Sequence, residues 1–110
     1  MYEYTATVVN VHDGDTVRLD IDLGFSMRWE TSIRLAGINA PELVTKEGKV
    51  AAQYLSQRLP VGSQVRLVTI KDKAEKYGRI LGRIYIGSET QDVNAEMISK
   101  GMAVPYMISS

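Results

Sequence analysis

The stretch Arg34-Leu35-Ala36-Gly37-Ile38-Asn39-Ala40-Pro41-Glu42 places a cation, a short amide and a carboxylate at the end of an apolar strand. Ile33 and Leu35 share one face of that strand and Arg34 projects from the other, because side chains alternate across a strand. Pro41 cannot donate to a ladder and biases Ala40 toward an extended conformation. Asn39, the Ala40 carbonyl and Glu42 therefore gather where the strand leaves its sheet. Two more pieces have the same character: Asp13-Gly14-Asp15-Thr16 and Lys76-Tyr77-Gly78-Arg79. Oxygens from Asp15, Asn39 and the Ala40 carbonyl suit a hard cation such as calcium, with waters completing the shell. Arg34 and Arg79 offer planar forks to a phosphate, and Glu42 could serve as a water-activating base. Phosphodiester hydrolysis asks for this combination, since the attacking water loses a proton while charge grows on the phosphoryl oxygens. Each piece also has a plainer reading. Arg34 could pair with Glu42 on the surface, Asp13-Gly14-Asp15 could be only a turn, and Lys76 to Arg79 only a loop of solvated charge. His12 reads as a strand residue rather than a ligand.

The elements that must hold these residues follow from periodicity. Thr5 to Val11 alternates, Asp13-Gly14-Asp15 supplies a turn, and Thr16 to Asp22 alternates with Val17, Leu19 and Ile21 inward and Arg18, Asp20 and Asp22 toward water. Gly24 marks the next reversal. Phe25 to Glu30 reads as a connection longer than a tight hairpin needs, with Phe25 and Trp29 as a hydrophobic lid on a barrel end and base stacking as the alternative role. After Glu42, the residues Val50, Ala51, Tyr54, Leu55 and Leu59 fall at helical spacing, with Thr45 as N-cap and Pro60 as stop. Ser63 to Ile70 is a fourth strand. Arg79 to Ile86 is a fifth, in which Gly82 marks a bulge or a close backbone approach. A short final helix runs from Asp92 or Val93 to Lys100, capped by Asp92 and ended by Gly101. Three strands, a helix, two strands and a helix predict a mainly β chain of α+β class, a five-stranded barrel plugged by one helix and followed by a short C-terminal helix. An open α+β sandwich is the alternative, but it would leave bare edges.

Composition narrows the function classes. At 110 residues with 45% hydrophobic and 24% charged content, the chain suits one domain spanning 1–110 with its own core. It has no cysteine and one histidine, which excludes disulfides, thiolate zinc sites and multi-histidine metal centres. No apolar run approaches a membrane span and no export signal opens the chain, so a non-membrane protein is expected, cytoplasmic unless a signal was trimmed, and monomeric. The net charge of zero conceals an asymmetry: residues 1–45 hold three Arg against seven Asp/Glu, and residues 46–110 ten Lys/Arg against six Asp/Glu. An acidic half able to hold a cation thus accompanies a basic half able to hold phosphate, where the plain alternative is a mixed surface.

Asp13-Gly14-Asp15-Thr16, Arg34 to Glu42, Lys76-Tyr77-Gly78-Arg79 and Val93-Asn94, followed by Met97, Gly101 and Ala103, come in the order found in the staphylococcal nuclease (thermonuclease) family, which this chain resembles along nearly its whole length. That resemblance implies an OB-fold barrel and a calcium-dependent enzyme cleaving DNA and RNA, with single-stranded or denatured substrate preferred. It implies Asp15 as the metal carboxylate, Glu42 as general base, and Arg34 and Arg79 as the phosphate clamp. Lys76 and Tyr77 match positions contacting the terminal phosphate and base, and Tyr106 a base-stacking tyrosine. Two departures stand out. The family's second metal carboxylate is here Asn39, which keeps an oxygen and gives up a charge, so weaker calcium affinity is expected. The connection between strands two and three is also longer, and the chain reads to Ser110 without the further C-terminal helix common in the family. The rival function is a non-catalytic OB-fold module that binds nucleic acid or protein.

Overall fold

The computed structural model describes residues 2–74 and 78–106, and for 71–74 the backbone alone. The elements are β1 (Tyr2–Asp13), β2 (Thr16–Gly24), β3 (Met27–Leu35), β4 (Ile38–Asn39), α1 (Lys46–Arg58), β5 (Gln64–Ala74), β6 (Ile80–Tyr85), α2 (Val93–Ser99) and β7 (Val104–Pro105). Five strands close into a barrel in the order β1-β2-β3-β6-β5, with β5 returning to β1. Among the described residues only the β3–β6 pairing is parallel, and it spans Ile33–Leu35 against Ile80–Gly82. This is an OB-fold of α+β class, as the order of elements predicts. β4 and β7, which periodicity does not reveal, form a separate two-stranded antiparallel sheet.

The alternation of β1 to β3 has the expected consequence. Val8, Val17, Leu19, Ile33 and Leu35 enter a core shared with Leu55, Leu67, Ile84 and Met97. Burying each such side chain stabilises by about 1.5–3 kcal/mol against leaving it exposed. β1 bends through register shifts between Val8 and Asn10 and between Val11 and Asp13, which lets one strand serve two sides of the barrel. Helix α1 is capped as predicted, the Gly48 N–H donating to Thr45 Oγ1 at 2.9 Å. It buries Ala51 and Leu55, while Val50 lies exposed on the outer side rather than on the packed face. Gly14 permits the contact with α1, since a Cβ there would stand 2.6 Å from Ala40 Cβ and 2.9 Å from Ala51 Cβ. Asp92 caps α2 by accepting from the Ala95 N–H at 2.6 Å.

The segment Phe25 to Glu30 departs from expectation. It is no long connection: β2 and β3 form a tight hairpin turning on Phe25 and Ser26 alone, both left-handed at φ 54° and 63°. Two left-handed residues match the twist of a hairpin, but Asn and Gly tolerate them far better than Phe and Ser do, so the local signature of the turn is Gly24 beside it, itself left-handed at φ 83°. Phe25 and Trp29 form no lid either, because Phe25 is 99% and Trp29 47% exposed on an arm that stands beyond the barrel. No described helix is long and apolar enough to cross a membrane.

Candidate active site

Where β1 turns into β2, the Asp13 carboxylate accepts the Asp15 N–H at 3.1 Å, an Asx-type turn that aims Asp15 inward. Asp15 is 8% exposed, and its two oxygens are held separately. Oδ2 accepts the Ala40 N–H at 2.9 Å and lies 3.5 Å from Arg34 Nη2. Oδ1 accepts the Thr16 hydroxyl at 3.2 Å, and Arg79 Nη1 donates to that same hydroxyl oxygen at 3.0 Å. Burial pushes the Asp15 carboxyl above its ordinary value, and the Ala40 N–H and the Arg34 guanidinium oppose the shift only in part. A desolvated anion thus lies between guanidinium groups delivered by β3 and by the entry to β6.

Arg34 projects away from Ile33 and Leu35 as predicted, yet it is itself only 7% exposed. Its Nη1 donates to the Leu35 carbonyl at 2.9 Å and its Nη2 to Asn39 Oδ1 at 3.2 Å. Arg34 therefore faces Asp15 and Asn39, and the alternative surface pair with Glu42 does not form. Glu42 is exposed, and its carboxylate has no partner among the described residues. Its backbone is fixed instead: the Glu42 carbonyl accepts from Thr45 N at 2.9 Å and from Thr45 Oγ1 at 2.7 Å.

The small β4–β7 sheet adds a member. Pairing of Asn39 with Val104, and the Tyr106 N–H donating to the Gly37 carbonyl at 2.9 Å, hold the tail against the exit of β3. The Tyr106 ring consequently lies with its centroid 6.0 Å from the Arg34 guanidinium carbon, within reach of a cation–π contact. The structure so brings together Asp15, Arg34, Asn39, Ala40, Arg79 and Tyr106. Lys76 and Tyr77 lie outside the described residues.

Two residues matter more than their sequence reading indicated. Thr16 links Arg79 to Asp15. Asn94, buried on α2, donates to the Ala36 carbonyl at 2.8 Å and the Gly82 carbonyl at 3.0 Å, tying the turn after β3 to β6. Gly82 confirms the expected close approach, since a Cβ there would stand 2.8 Å from Leu67 Cδ1. The motif positions of Thr16 and Asn94 were visible in sequence, but Arg79, Ala36 and Gly82, which they bind, are distant from them along the chain.

Among the described residues no three His, Cys, Asp or Glu side chains converge as a metal cluster. A cation here would depend on mixed oxygens: the Asp15 carboxylate, the Asn39 amide oxygen and the Ala40 carbonyl. Such a donor set fits a hard cation, and the partly compensated Asp15 charge is what a cation would stabilise.

The class the structure defines is a closed five-stranded OB-fold barrel that carries a buried carboxylate and two arginines at its strand ends. Residues 32–110 match the model of the family described as staphylococcal nuclease homologue, and the chain belongs to that family. It is 31% identical to the endonuclease YhcR of Bacillus subtilis (strain 168), over 96% of this chain and 9% of that protein. It is 30% identical to the thermonuclease of Staphylococcus hyicus, over 92% of this chain and 59% of that protein. An uncharacterized endonuclease of Haemophilus influenzae is 33% identical over 93% of this chain and 52% of its own length. The chain thus spans less than two thirds of each of these relatives.

Proposed function

We propose that this chain is a metal-dependent phosphodiesterase that hydrolyses DNA and RNA, with calcium as its cation. One observation carries the reading: Asp15 is buried where Arg34 from β3, Arg79 from the start of β6 through Thr16, and the Asn39-Ala40 backbone all meet. A buried acid surrounded by fixed guanidinium groups suits an anionic, oxygen-rich substrate far better than a neutral one. The nuclease names of the relatives point the same way.

In this reading the guanidinium groups of Arg34 and Arg79 receive the phosphoryl oxygens and stabilise the charge that grows on them as the new P–O bond forms. Glu42, exposed and uncommitted, takes the proton of the attacking water at its carboxylate. Tyr106 stacks against a base. Asp15, Asn39 and the Ala40 carbonyl would hold calcium, which when bound supplies positive charge beside the scissile phosphate and lowers the pKa of water. Asn39 gives its amide oxygen to Arg34 and contributes no charge, so occupancy demands more calcium than a site with two carboxylates.

The test is hydrolysis of heat-denatured DNA and of RNA with calcium, with magnesium, and with excess chelator. Cleavage that requires a divalent cation and is best with calcium is the expected result. Undiminished cleavage in chelator refutes the cation dependence. Binding of the nucleic acid with no cleavage in any metal assigns the chain instead to the non-catalytic OB-fold modules.

A further inference from the structure

Glu42 occupies an exposed segment with no hydrogen bond or ion pair to its carboxylate among the described residues, a poor way to hold a base that must meet one water at one phosphate. What fixes it is the start of α1. Only Leu43 and Val44 separate Glu42 from the N-cap Thr45, and both of those side chains are exposed. Thr45 binds the Glu42 carbonyl twice, through its N–H at 2.9 Å and its hydroxyl at 2.7 Å. The same hydroxyl oxygen accepts the Gly48 N–H at 2.9 Å, so one side chain closes both the turn and the helix end. Gly48 then presses directly on this turn: a Cβ on it would stand 1.9 Å from the Glu42 carbonyl oxygen, 2.5 Å from its carbonyl carbon and 2.8 Å from the Pro41 oxygen. All three are backbone atoms, and backbone atoms cannot swing aside as a side-chain end can. Gly48 does not adopt a left-handed backbone, so closeness of approach rather than backbone freedom requires glycine here.

We infer that Thr45 and Gly48 are positioning residues for the reaction, holding the Glu42 backbone against the first turn of α1 so that its carboxylate is presented from a fixed place. This inference rests on the reading of Glu42 as the base. Ala51, one turn further along α1, would contact a Cβ at Gly14, so the same helix face touches both the Asp15 turn and the Glu42 turn and sets their separation. Any side chain at position 48 must push Pro41-Glu42 away from the helix. A displacement of about 1 Å is enough to cost roughly 10²-fold in rate when a base must meet a water.

The experiment measures kcat, KM for denatured DNA, and calcium affinity by calorimetry for the wild type, Gly48→Ala, Thr45→Val and Thr45→Ser. It repeats Gly48→Ala in a Glu42→Gln background. Gly48→Ala is expected to lower kcat by roughly 10²-fold while KM and calcium affinity stay close to wild type. Thr45→Val should lower kcat in the same direction, and Thr45→Ser, which keeps the hydroxyl, should restore it. In the Glu42→Gln background Gly48→Ala should cost almost nothing further, because the group it displaces is already disabled. Full additivity of the two changes, or equal falls in kcat and calcium affinity, would overturn the inference in favour of general destabilisation. If Gly48→Ala fails to fold, the contrast of Thr45→Val with Thr45→Ser decides alone, equal rates in the two refuting the clamp. A wild type inactive with every metal refutes the parent reading, and the clamp as a catalytic device with it. An active wild type alongside a fully active Gly48→Ala refutes the clamp alone.

Discussion

At its outer end β3 carries Arg28 and Glu30 in ion pairs with Asp20 and Arg18, at 2.9 and 2.6 Å. At its inner end it carries Arg34, 3.5 Å from Asp15. By distance the outer pairs are the better ones, yet they lie in water, where an ion pair contributes about 0–1 kcal/mol. The inner pair is buried, so removing one partner strands the other in a medium that solvates it poorly. One strand thus carries arginines of opposite importance, and the cause is the reach of its neighbours. Pairing of β1 with β2 runs outward only to Ala6 against Ile21, and β6 covers only Ile33–Leu35. Met27–Glu30 therefore has the alternation of a buried strand and the solvent exposure of a loop.

The sharpest way to break this comparison is to delete each arginine. Arg34→Ala should destabilise by roughly 3 kcal/mol, the order expected when a buried charge loses its partner, and should abolish cleavage. Arg28→Ala should cost less than about 1 kcal/mol. Urea denaturation of both variants checks this, and equal losses would mean that burial does not separate the two ends.

An intermediate effect is expected between the helices, where Glu96 of α2 accepts from Tyr54 and from Arg58 of α1, and Arg58 also binds Glu89. Burial alone would raise the Glu96 pKa, but the hydrogen bonds from Arg58 and Tyr54, aided by the charges of Arg58 and Lys100, outweigh it and leave it lowered. A carboxylate lowered on folding adds stability above its unfolded value, and that stability is lost as pH falls through the folded value. Glu96→Gln should cost roughly 2 kcal/mol at pH 7 and flatten the acid limb, because a charged hydrogen-bond acceptor is replaced by a neutral one. Denaturation midpoints between pH 7 and 3 measure it, and an unchanged slope would show that Glu96 is not lowered. Tyr54 is raised, chiefly by its hydrogen bond to Glu96, so its contribution runs the other way and is lost in alkali.

The smallest change sharpens the outer end. Phe25→Asn with Ser26→Gly supplies residues that tolerate the left-handed turn and should stabilise by about 1 kcal/mol with the proposed nuclease activity unchanged. A thermal melt that does not rise would mean that the turn is not strained by its residues.

By itself the amino-acid sequence determined the inward faces of β1 to β3, both helix caps, the order of elements and the charged blocks at the strand ends, because each of these is written in local periodicity or in one side chain's reach. It did not determine the hairpin arm, since Met27-Arg28-Trp29-Glu30 alternates in the same way whether or not a neighbouring strand covers it, and Phe25-Ser26 lacks the glycine or asparagine that announces such a turn. Nor did it place Tyr106 beside Arg34, a contact made by a two-residue sheet too short for any period to show. Only closure of the barrel decided that Ala40 would donate to Asp15, that Arg79 would reach Thr16 and that Arg34 would hold Asn39 rather than Glu42. These pairings depend on the register of distant strands, and register is fixed by the packing of all the strands and helices at once rather than by any stretch that a local pattern can describe.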